Sequence, residues 1–314
     1  MQTNPGLMLW GQKRYRSLNY DLQEYFKEKV VKISLDAGFT CPNRDGTLSV
    51  GGCAFCSARG SGDFAGMPQM SIAQQFNQGR RLLSRKWQAQ KFIAYFQAFT
   101  NTYAPVEKLR WLYESALAQP GVVGLAIATR PDCLSEEALD LLEELNQRTF
   151  LWVELGLQTI HQRTVKLLNM HYDCDTFSMA LDRLKRRNIA VCTHLILGLP
   201  GENREDMMKS AEFVARHTVQ GLKIHALHLI QNTALARMYA KEPFSLMNES
   251  EYVNLVVDIL EILSPEVTIH RLTGDGPRSL LIGPEWTLRK HHVLNSIDTC
   301  LKKRNTWQGR LYKA

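Results

Sequence analysis

Residues 41–56 of the chain read CPNRDGTLSVGGCAFC, with cysteines at positions 41, 53 and 56. The spacing is C-x11-C-x2-C, and the aromatic residue Phe55 directly precedes the last cysteine. Three thiolates from one loop can hold three irons of a 4Fe–4S cluster and leave the fourth iron open, whereas most electron-transfer clusters take four cysteines. The loop therefore predicts a cluster on Cys41, Cys53 and Cys56 that also binds a further molecule.

The alternative for this loop is a structural zinc site or a set of ordinary free thiols. Zinc normally takes four protein ligands, often as two paired knuckles. Here one C-x2-C pair stands with a distant third cysteine, and no nearby histidine completes the set. Glycines at positions 46, 51 and 52 suit a backbone that wraps tightly around a large inorganic group. The loop alone leaves both interpretations open, and the rest of the chain favours the cluster.

Length and composition limit the class of protein. A chain of 314 residues with 45% apolar content can form one large domain with appendages. Its seven cysteines are too sparse for a disulfide scaffold, and their odd number favours a reducing compartment. No apolar run has the length of a membrane span, and the N-terminus lacks a secretory signal pattern. We therefore expect a cytoplasmic protein without a membrane partner.

Positive charge is unevenly distributed along the chain, whose formal net charge is +7. Segregated Lys and Arg attract polyphosphate because binding releases counterions, although a single basic run is more commonly a solvated helix face. Several basic clusters and a basic tail that contains aromatic residues predict a nucleic acid partner. The candidate RNA-binding residues are Arg80, Arg81, Arg85 and Lys86 in one segment and Arg289, Lys290, Lys302, Lys303 and Arg304 in the tail.

Short apolar runs alternate with longer amphipathic segments through the centre of the chain. The predicted strands are Val30–Leu35, Phe92–Phe99, Val122–Thr129, Leu151–Leu157, Ile189–Leu197 and Gly221–Leu229. The predicted helices are Ser71–Trp87, Val106–Ala118, Ser135–Arg148, Thr164–Asn169, Cys174–Arg187 and Asn203–His217. Six βα units with nearly continuous apolar strands predict an α/β fold with a parallel sheet, as in a partial (βα)6 TIM-like barrel.

The same pattern divides the chain into three parts. Residues 1–29 are predicted to form an N-terminal cap, residues 30–242 the partial barrel, and residues 243–314 a C-terminal extension with the basic tail. Within the extension, Phe244–Leu263 reads as a helix and Val267–Arg271 as a short strand.

In such sheets ligands bind at the carboxyl ends of the strands. The cysteine loop begins directly after the first predicted strand, so the cluster is expected at this edge, the mouth of the barrel. We also expect the basic clusters to lie on the rim of the mouth.

Polar residues stand at the ends of other predicted strands. Gln97, Ala98 and Thr100 follow the second strand closely, and Glu154 shares one face of the fourth strand with Gln158 by alternation. A buried acid is costly unless it is paired or in use, so a structural ion pair would explain Glu154 equally well. A lone strand histidine such as His194 is more often a core residue than a ligand. Several polar strand ends together nevertheless predict a binding site.

With these residues in view, the chain resembles the radical S-adenosylmethionine superfamily. The glycine turns GLQT at 156–159 and GLPGE at 198–202 resemble the branch that contains the Elongator catalytic subunit and the tRNA methylthiotransferases. The long cysteine spacing, YFQAF at 95–99 and ATRPDC at 128–133 resemble the YhcC/YtqA-type group within it.

That resemblance implies a 4Fe–4S cluster, S-adenosylmethionine as its ligand, and an electron donor such as flavodoxin or ferredoxin. It further implies a radical enzyme that acts on tRNA and converts the carboxymethylaminomethyl group at C5 of the wobble uridine to the aminomethyl form. The absence of a second C-x2-C motif disfavours sulfur insertion.

The resemblance also implies roles for individual residues. Contacts to S-adenosylmethionine are implied for Gln97, Ala98, Thr100, Gln158, His194 and Leu229. Many relatives carry an arginine where this chain has Met170, so the carboxylate of the cofactor would need another cation, such as Arg130. The catalytic residue stays open, with Cys133, Arg130 and Glu154 as candidates.

Two other functions remain alternatives at this point. One is a radical enzyme that acts on a small metabolite or a protein, and the other is a non-enzymatic iron–sulfur sensor that binds RNA. Neither a P-loop nor a G-x-G-x-x-G turn is present, which tells against a GTPase or an ordinary methyltransferase. The oligomeric state is not predicted.

Overall fold

The computed structural model describes residues 7, 9–60, 62–63 and 65–313, so part of the predicted N-terminal cap, residues 1–6 and 8, lies outside the described residues. The parallel strands are β1 Val30–Leu35, β2 Lys91–Phe96, β3 Val122–Thr129, β4 Phe150–Gln158, β5 Ala190–Leu197, β6 Gly221–Ala226 and β8 Thr268–Arg271. They form one seven-stranded sheet in the order β1-β2-β3-β4-β5-β6-β8. The strands β7 Leu229–Ile230 and β9 Leu281–Gly283 form a separate antiparallel pair.

Helices follow the strands and cover the outer face of the sheet. They are α1 Leu18–Phe26, α2 Ile72–Ser84, α3 Val106–Leu117, α4 Glu136–Asn146, α5 Gln162–Leu167, α6 Cys174–Arg186, α7 Arg204–Arg216, α8 Ala234–Lys241, α9 Glu249–Ile262 and α10 Lys290–Lys303. Local sequence fixes several of their starts. Ser71 begins α2 with a capping box in which Gln74 reaches back to the Ser71 backbone, and Asn203 begins α7 in the same way.

The predicted α/β fold with a partial parallel barrel is confirmed. Its sheet has one strand more than expected, because Thr268–Arg271 pairs with β6 and continues the parallel order. The division of the chain into three parts stays a prediction.

Two strands end earlier than the sequence predicts. β2 ends at Phe96, since Ala98 and Phe99 have φ angles of 83° and 59° that no strand can continue through. β6 ends at Ala226, and Leu229 pairs instead with Gly283 in the small antiparallel sheet.

The N-terminal segment lies across the edge at which the parallel strands begin, here called the floor. Ser17 forms a parallel bridge with Ile269 of β8, and α1 contacts both β8 and β1, the two edge strands of the sheet. The rings of Tyr25 and Phe26 lie 4.9 Å and 5.4 Å from that of Phe150, the first residue of β4. The segment therefore covers the floor of the barrel beside the seam between its edge strands.

The two faces of the sheet have different interiors. The outer face packs against the helices in one large apolar core that includes Ile33, Phe96 and Leu155, all at most 1% exposed. The inner face surrounds the lumen, where Ile93, Ala126 and other small or apolar residues pack near the floor. Within the described residues, no helix combines the length and the apolar character that crossing a membrane requires.

Candidate active site

The cysteine loop lies at the mouth of the barrel, the edge at which the parallel strands end. Gly52 adopts φ +81°, and a Cβ there would stand 3.1 Å from Cγ of Arg44, so this turn requires glycine. The Ala54 amide donates to the Leu168 carbonyl and its carbonyl accepts from the Leu235 amide, each at 2.8 Å. The loop is thereby tied to the end of α5 and the start of α8.

The thiols of Cys41, Cys53 and Cys56 lie close enough to influence one another's ionisation. Burial raises the pKa of Cys53 and raises that of Cys56 to about 12. In the described part of the chain, no three His, Cys, Asp or Glu side chains form a group that could hold one metal ion. A 4Fe–4S cluster binds each thiolate at a different iron, so thiols spread around a larger volume are no obstacle to it.

Two polar residues of the loop lie beside these sulfurs. Asn43 Nδ2 donates to Cys53 Sγ at 3.4 Å and also to the backbone carbonyl of Asn169. Arg44 lies next to Cys56, donates to the Ser57 carbonyl at 3.0 Å, and places its guanidinium 5.0 Å from the Phe99 ring centre. The sequence analysis did not single out either residue, and their position directly after Cys41 was the available signal.

Arg130, which follows β3, is buried beside the cysteines. Its guanidinium pairs with both carboxylate oxygens of Asp132, at 2.9 Å and 2.6 Å, and lies 4.8 Å from the Tyr172 ring centre. Nη2 donates to the Met170 carbonyl at 3.0 Å, whereas Nη1 is buried without a hydrogen-bond partner in the described structure. A buried donor left unpaired costs free energy, so Nη1 marks a position suited to an anionic group.

Gln158, at the end of β4, points toward the same region. Its φ is +66° and the pairing of β4 with β5 shifts register between Gly156 and Gln158, so the simple alternation predicted for this strand breaks there. The Gln158 amide hydrogen-bonds the Tyr172 hydroxyl. A Cβ on Gly156 would stand 2.9 Å from Gln158 Nε2 and 3.2 Å from that hydroxyl, which leaves glycine to make room for both side chains.

The segment after β2 holds a strained backbone. Ala98 and Phe99 both have positive φ, a conformation that costs about 1–3 kcal/mol for each non-glycine residue. Asn101 Nδ2 anchors the segment through the carbonyls of Ala98, at 3.2 Å, and Ala128, at 2.8 Å. The Thr100 hydroxyl is buried without a partner among the described residues. Strain held by such anchors is typical of ligand sites, which agrees with the implied role of Gln97, Ala98 and Thr100.

Deeper in the lumen lies a set of polar side chains that we call the charged layer: Lys32, Tyr95, Glu154, His194 and Lys223. Glu154 is fully buried at its centre. Its Oε2 accepts from Lys223 Nζ at 2.6 Å and from Tyr95 Oη at 2.7 Å, and it lies 2.9 Å from His194 Nε2. Its Oε1 contacts Lys32 Nζ and Trp152 Nε1 at 3.4 Å and 3.3 Å. Glu154 is therefore an ion-pair centre, as the structural interpretation of this residue allowed.

Burial sets the ionisation of the charged layer. It lowers the pKa of His194 to about 4, with Lys223 adding repulsion, so the imidazole is neutral near pH 7. Burial also lowers the pKa of Lys223 to about 8, against the attraction of Glu154. The two lysines outweigh burial at Glu154 and hold its pKa well below the usual range. Near pH 7 the layer therefore carries two ammonium groups and one carboxylate.

Cys133 and Leu229 have surroundings that bear on their implied roles. Burial and the neighbouring Asp132 carboxylate raise the pKa of Cys133, which keeps it a thiol near pH 7. Leu229 is fully buried in β7 and packs with Leu235 and Leu227.

The basic clusters do not all lie where the sequence analysis expected. Residues Arg80–Lys86 end α2 and lie at the floor, since Trp87 packs 4.5 Å from Lys29 Nζ, directly before β1. Lys302 and Lys303 end α10 beside the last turn of α9, also toward the floor, and Arg304 pairs there with Asp258 and Glu261. The rim position is therefore wrong for these residues. It holds for Arg289 and Lys290, which pair with Glu249 at the start of α9 and with Asp275 after β8.

Two other basic residues do lie at the mouth. Lys166 of α5 and Arg237 of α8 are both exposed, on the helices that hydrogen-bond Ala54 of the cysteine loop. Neither pairs with an acid in the structure as described, so both keep an uncompensated positive charge beside the loop.

Comparison with known proteins agrees with this geometry. Residues 41–214 match the family model of the radical SAM superfamily, and residues 219–303 match that of the Radical_SAM C-terminal domain. The protein YtqA of Bacillus subtilis strain 168 is 50% identical over 313 residues, which cover 100% of this chain and 97% of YtqA. These matches cover the cysteine loop and all seven parallel strands.

More distant similarity reaches longer proteins. The tRNA uridine(34) acetyltransferase of Methanocaldococcus infernus is 27% identical over 163 residues, 51% of this chain and 30% of that protein. The solved structure of Elp3 from Methanocaldococcus infernus, with its N-terminus deleted, superposes with a TM-score of 0.69 at 18% identity, over 89% of this chain and 64% of that one. The chain thus spans less than two thirds of these two proteins, and the second likeness concerns the fold.

Proposed function

The chain belongs to the radical S-adenosylmethionine superfamily, in which it is a close relative of YtqA, and on that premise we propose that it is a radical enzyme that modifies tRNA. The proposed reaction converts the carboxymethylaminomethyl group at C5 of the wobble uridine to the aminomethyl form, in the cytoplasm. The cofactors are a 4Fe–4S cluster and S-adenosylmethionine, as in the superfamily.

The residues at the mouth fit both cofactors. Cys41, Cys53 and Cys56 supply three thiols from one loop, and the amide of Asn43 is placed to donate to a ligating sulfur. The buried and unpaired Nη1 of Arg130 suits the carboxylate of S-adenosylmethionine, in place of the arginine expected at Met170. This orphaned donor beside the three thiols is the observation that carries the proposal for the site.

When bound, the two cofactors supply the hydrogen-abstracting radical of this superfamily. The chain's own residues position and shield the reacting groups. Arg130 is held by Asp132 and Tyr172, so little rotational freedom is lost when its free N–H binds an anion. Apolar packing and α1 cover the floor, which leaves the mouth as the route by which a substrate reaches the lumen.

Support for tRNA as the substrate comes from two sources. The relative from Methanocaldococcus infernus is named for uridine 34 of tRNA, and it shares about half of this chain. The exposed Lys166 and Arg237 stand beside the cysteine loop without acidic partners among the described residues, and such cations bind phosphates by releasing counterions. We propose that these two residues contact the anticodon stem and that an electron donor such as flavodoxin or ferredoxin reduces the cluster.

The test is mass spectrometry of tRNA nucleosides from cells with and without the gene. The proposal predicts that carboxymethylaminomethyluridine accumulates and aminomethyluridine, with any derivative made from it, disappears when the gene is deleted. Reconstituted protein should convert isolated carboxymethylaminomethyl tRNA in a reaction that needs S-adenosylmethionine and a reductant. An unchanged nucleoside profile together with inactivity on that tRNA would refute the assignment.

A further inference from the structure

The charged layer has more positive than negative charge. Lys32 and Lys223 both contact Glu154, and neither lysine pairs with a second carboxylate among the described residues. Burial of one ammonium group without a matching anion is costly, even at the moderate effective dielectric of a protein interior. The imbalance is therefore either a loss of stability or a binding site for an anion.

Lys32 is the member of the layer with unused hydrogen-bonding capacity. Its ammonium has three donors, but its contact with Glu154 is long, at 3.4 Å, while Lys223 contacts both Glu154 and Tyr95 within 2.9 Å. The Lys32 side chain is 24% exposed, against 5% for Lys223 and 0% for Glu154. Its Nζ lies 4.8 Å from the ring centre of Tyr95 and 5.8 Å from that of Trp152, so aromatic faces fix its position.

The position of Lys32 in the sheet makes it reachable from the mouth. It stands three residues before the end of β1, which places it about 10 Å below the edge where the cysteine loop begins. Several side chains above it on the inner face, among them Ser34, Ile196 and His225, are partly exposed, whereas α1 and Phe150 cover the floor. An extended group that enters from the mouth therefore meets the charged layer at its end.

We propose that Lys32, assisted by Lys223, binds a carboxylate of the substrate inside the lumen. Glu154 acts as a positioning residue that holds both ammonium groups, and the bound carboxylate balances the charge of the layer. The inference rests on the proposed function, in which the carboxylate of the carboxymethylaminomethyl group distinguishes the substrate from its aminomethyl product. The layer would then select the tRNA that still carries the group to be removed.

A binding experiment tests this with the cluster-loaded protein at one fixed salt concentration. The affinity is measured for tRNA with carboxymethylaminomethyluridine at the wobble position and for the same tRNA with aminomethyluridine there. We expect the wild type to prefer the first by roughly tenfold or more, since a hydrogen bond to a charged group contributes about 1.5–3 kcal/mol. Lys32→Gln should bring the ratio close to one, and Lys32→Arg should restore part of it.

The controls separate a structural effect and the other source of a carboxylate, S-adenosylmethionine itself. In Lys32→Gln, Glu154 keeps its contacts with Lys223, Tyr95 and His194, so the variant should fold, which circular dichroism checks. Lys209→Gln changes a lysine that is 53% exposed on α7 and should keep the wild-type ratio.

Two results would overturn the inference and leave the proposed function standing. One is a wild-type preference that Lys32→Gln fully retains, and the other is a loss of S-adenosylmethionine affinity in Lys32→Gln without any change in the tRNA ratio. Equal affinity of the wild type for both tRNAs would also overturn it. In that case the nucleoside analysis of the deletion strain still decides whether the tRNA is the substrate.

Discussion

At the scale of single residues, the site depends on side chains whose partners are incomplete. Arg130 is fixed by Asp132, Met170 and Tyr172, yet one of its buried nitrogens has no acceptor in the described structure. The surrounding contacts hold the guanidinium in place, so its free N–H is ready for an anion before that anion arrives. Preorganisation of this kind reduces the entropy lost on binding.

The three loop cysteines should be individually essential for the cluster. Changing Cys41, Cys53 or Cys56 to Ala removes one of three ligating thiolates, so anaerobic reconstitution should no longer give about four irons per chain. Iron analysis and the visible absorption of the cluster measure this. Cys133→Ala is the matched control, because its thiol is buried beside Asp132 and should not be a ligand. Equal loss of iron in that variant would show that the ligand set is wrong.

Replacing Arg130 should weaken cofactor binding without removing the cluster. Arg130→Gln deletes a charged hydrogen bond that contributes about 1.5–3 kcal/mol, so the dissociation constant for S-adenosylmethionine should rise roughly ten- to hundredfold. Equilibrium binding to the reconstituted protein measures the constant, and iron analysis confirms the cluster. Arg163→Gln, which alters an exposed arginine paired with Asp206 near the same edge, should have no effect. An unchanged constant in Arg130→Gln would remove this residue from the cofactor site.

At the scale of secondary structure, each parallel strand gives one face to the helices and one to the lumen. Inner-face histidines are kept uncharged by that burial: the pKa of His194 falls to about 4, and that of His270 falls to about 3. Such groups cost the fold nothing while neutral, but they oppose folding once the pH favours their charged form.

The metal-free chain should therefore lose stability in weak acid. Unfolded histidines titrate near pH 6.5, so below that pH the unfolded chain binds more protons than the folded one. The free energy of unfolding should fall between about pH 6.5 and pH 4, by about 1.4 kcal/mol per pH unit for each such histidine. Urea unfolding at pH 7 and pH 5 measures the loss.

Replacing His194 should reduce that loss. Gln at position 194 can still donate to Glu154 but does not titrate, so His194→Gln should show a smaller difference between the two pH values. His171→Gln, a change at an exposed histidine, should behave as the wild type. The explanation fails if His194→Gln and the wild type lose the same free energy.

At the scale of the whole molecule, the basic surface is divided between the mouth and the floor. Lys166 and Arg237 stand beside the cysteine loop, whereas Arg80–Lys86 and the end of α10 lie where the strands begin. A tRNA whose wobble base enters the lumen must approach the mouth. Contacts at the floor require the same tRNA to extend along the outside of the barrel.

Charge reversal can distinguish these surfaces. Lys166→Glu with Arg237→Glu should weaken tRNA binding and reduce the salt slope by about one to two, because up to two phosphate contacts are lost. Lys302→Glu with Lys303→Glu, at the floor, should have a smaller effect. Filter binding across a salt series measures both. A larger effect from the floor pair would place the tRNA on the opposite side of the molecule.

The sequence by itself was sufficient for the cysteine ligands, the α/β class and most strand positions. Those features depend on local spacing and on continuous apolar runs, which are visible along the chain. The strand Thr268–Arg271 was assigned to the extension because four residues with two polar side chains give little signal, and only its pairing with β6 makes it part of the sheet.

Tertiary structure alone decided what the polar residues do. Glu154, Lys32 and Lys223 are far apart in the sequence and meet because strands β4, β1 and β6 curve around one lumen. The same topology returns each covering helix to the floor, which carries the basic end of α2 away from the cysteine loop. Contacts between strands and the direction of a helix relative to the sheet are properties of the folded chain. No local pattern encodes them, because each depends on which distant segments burial brings together.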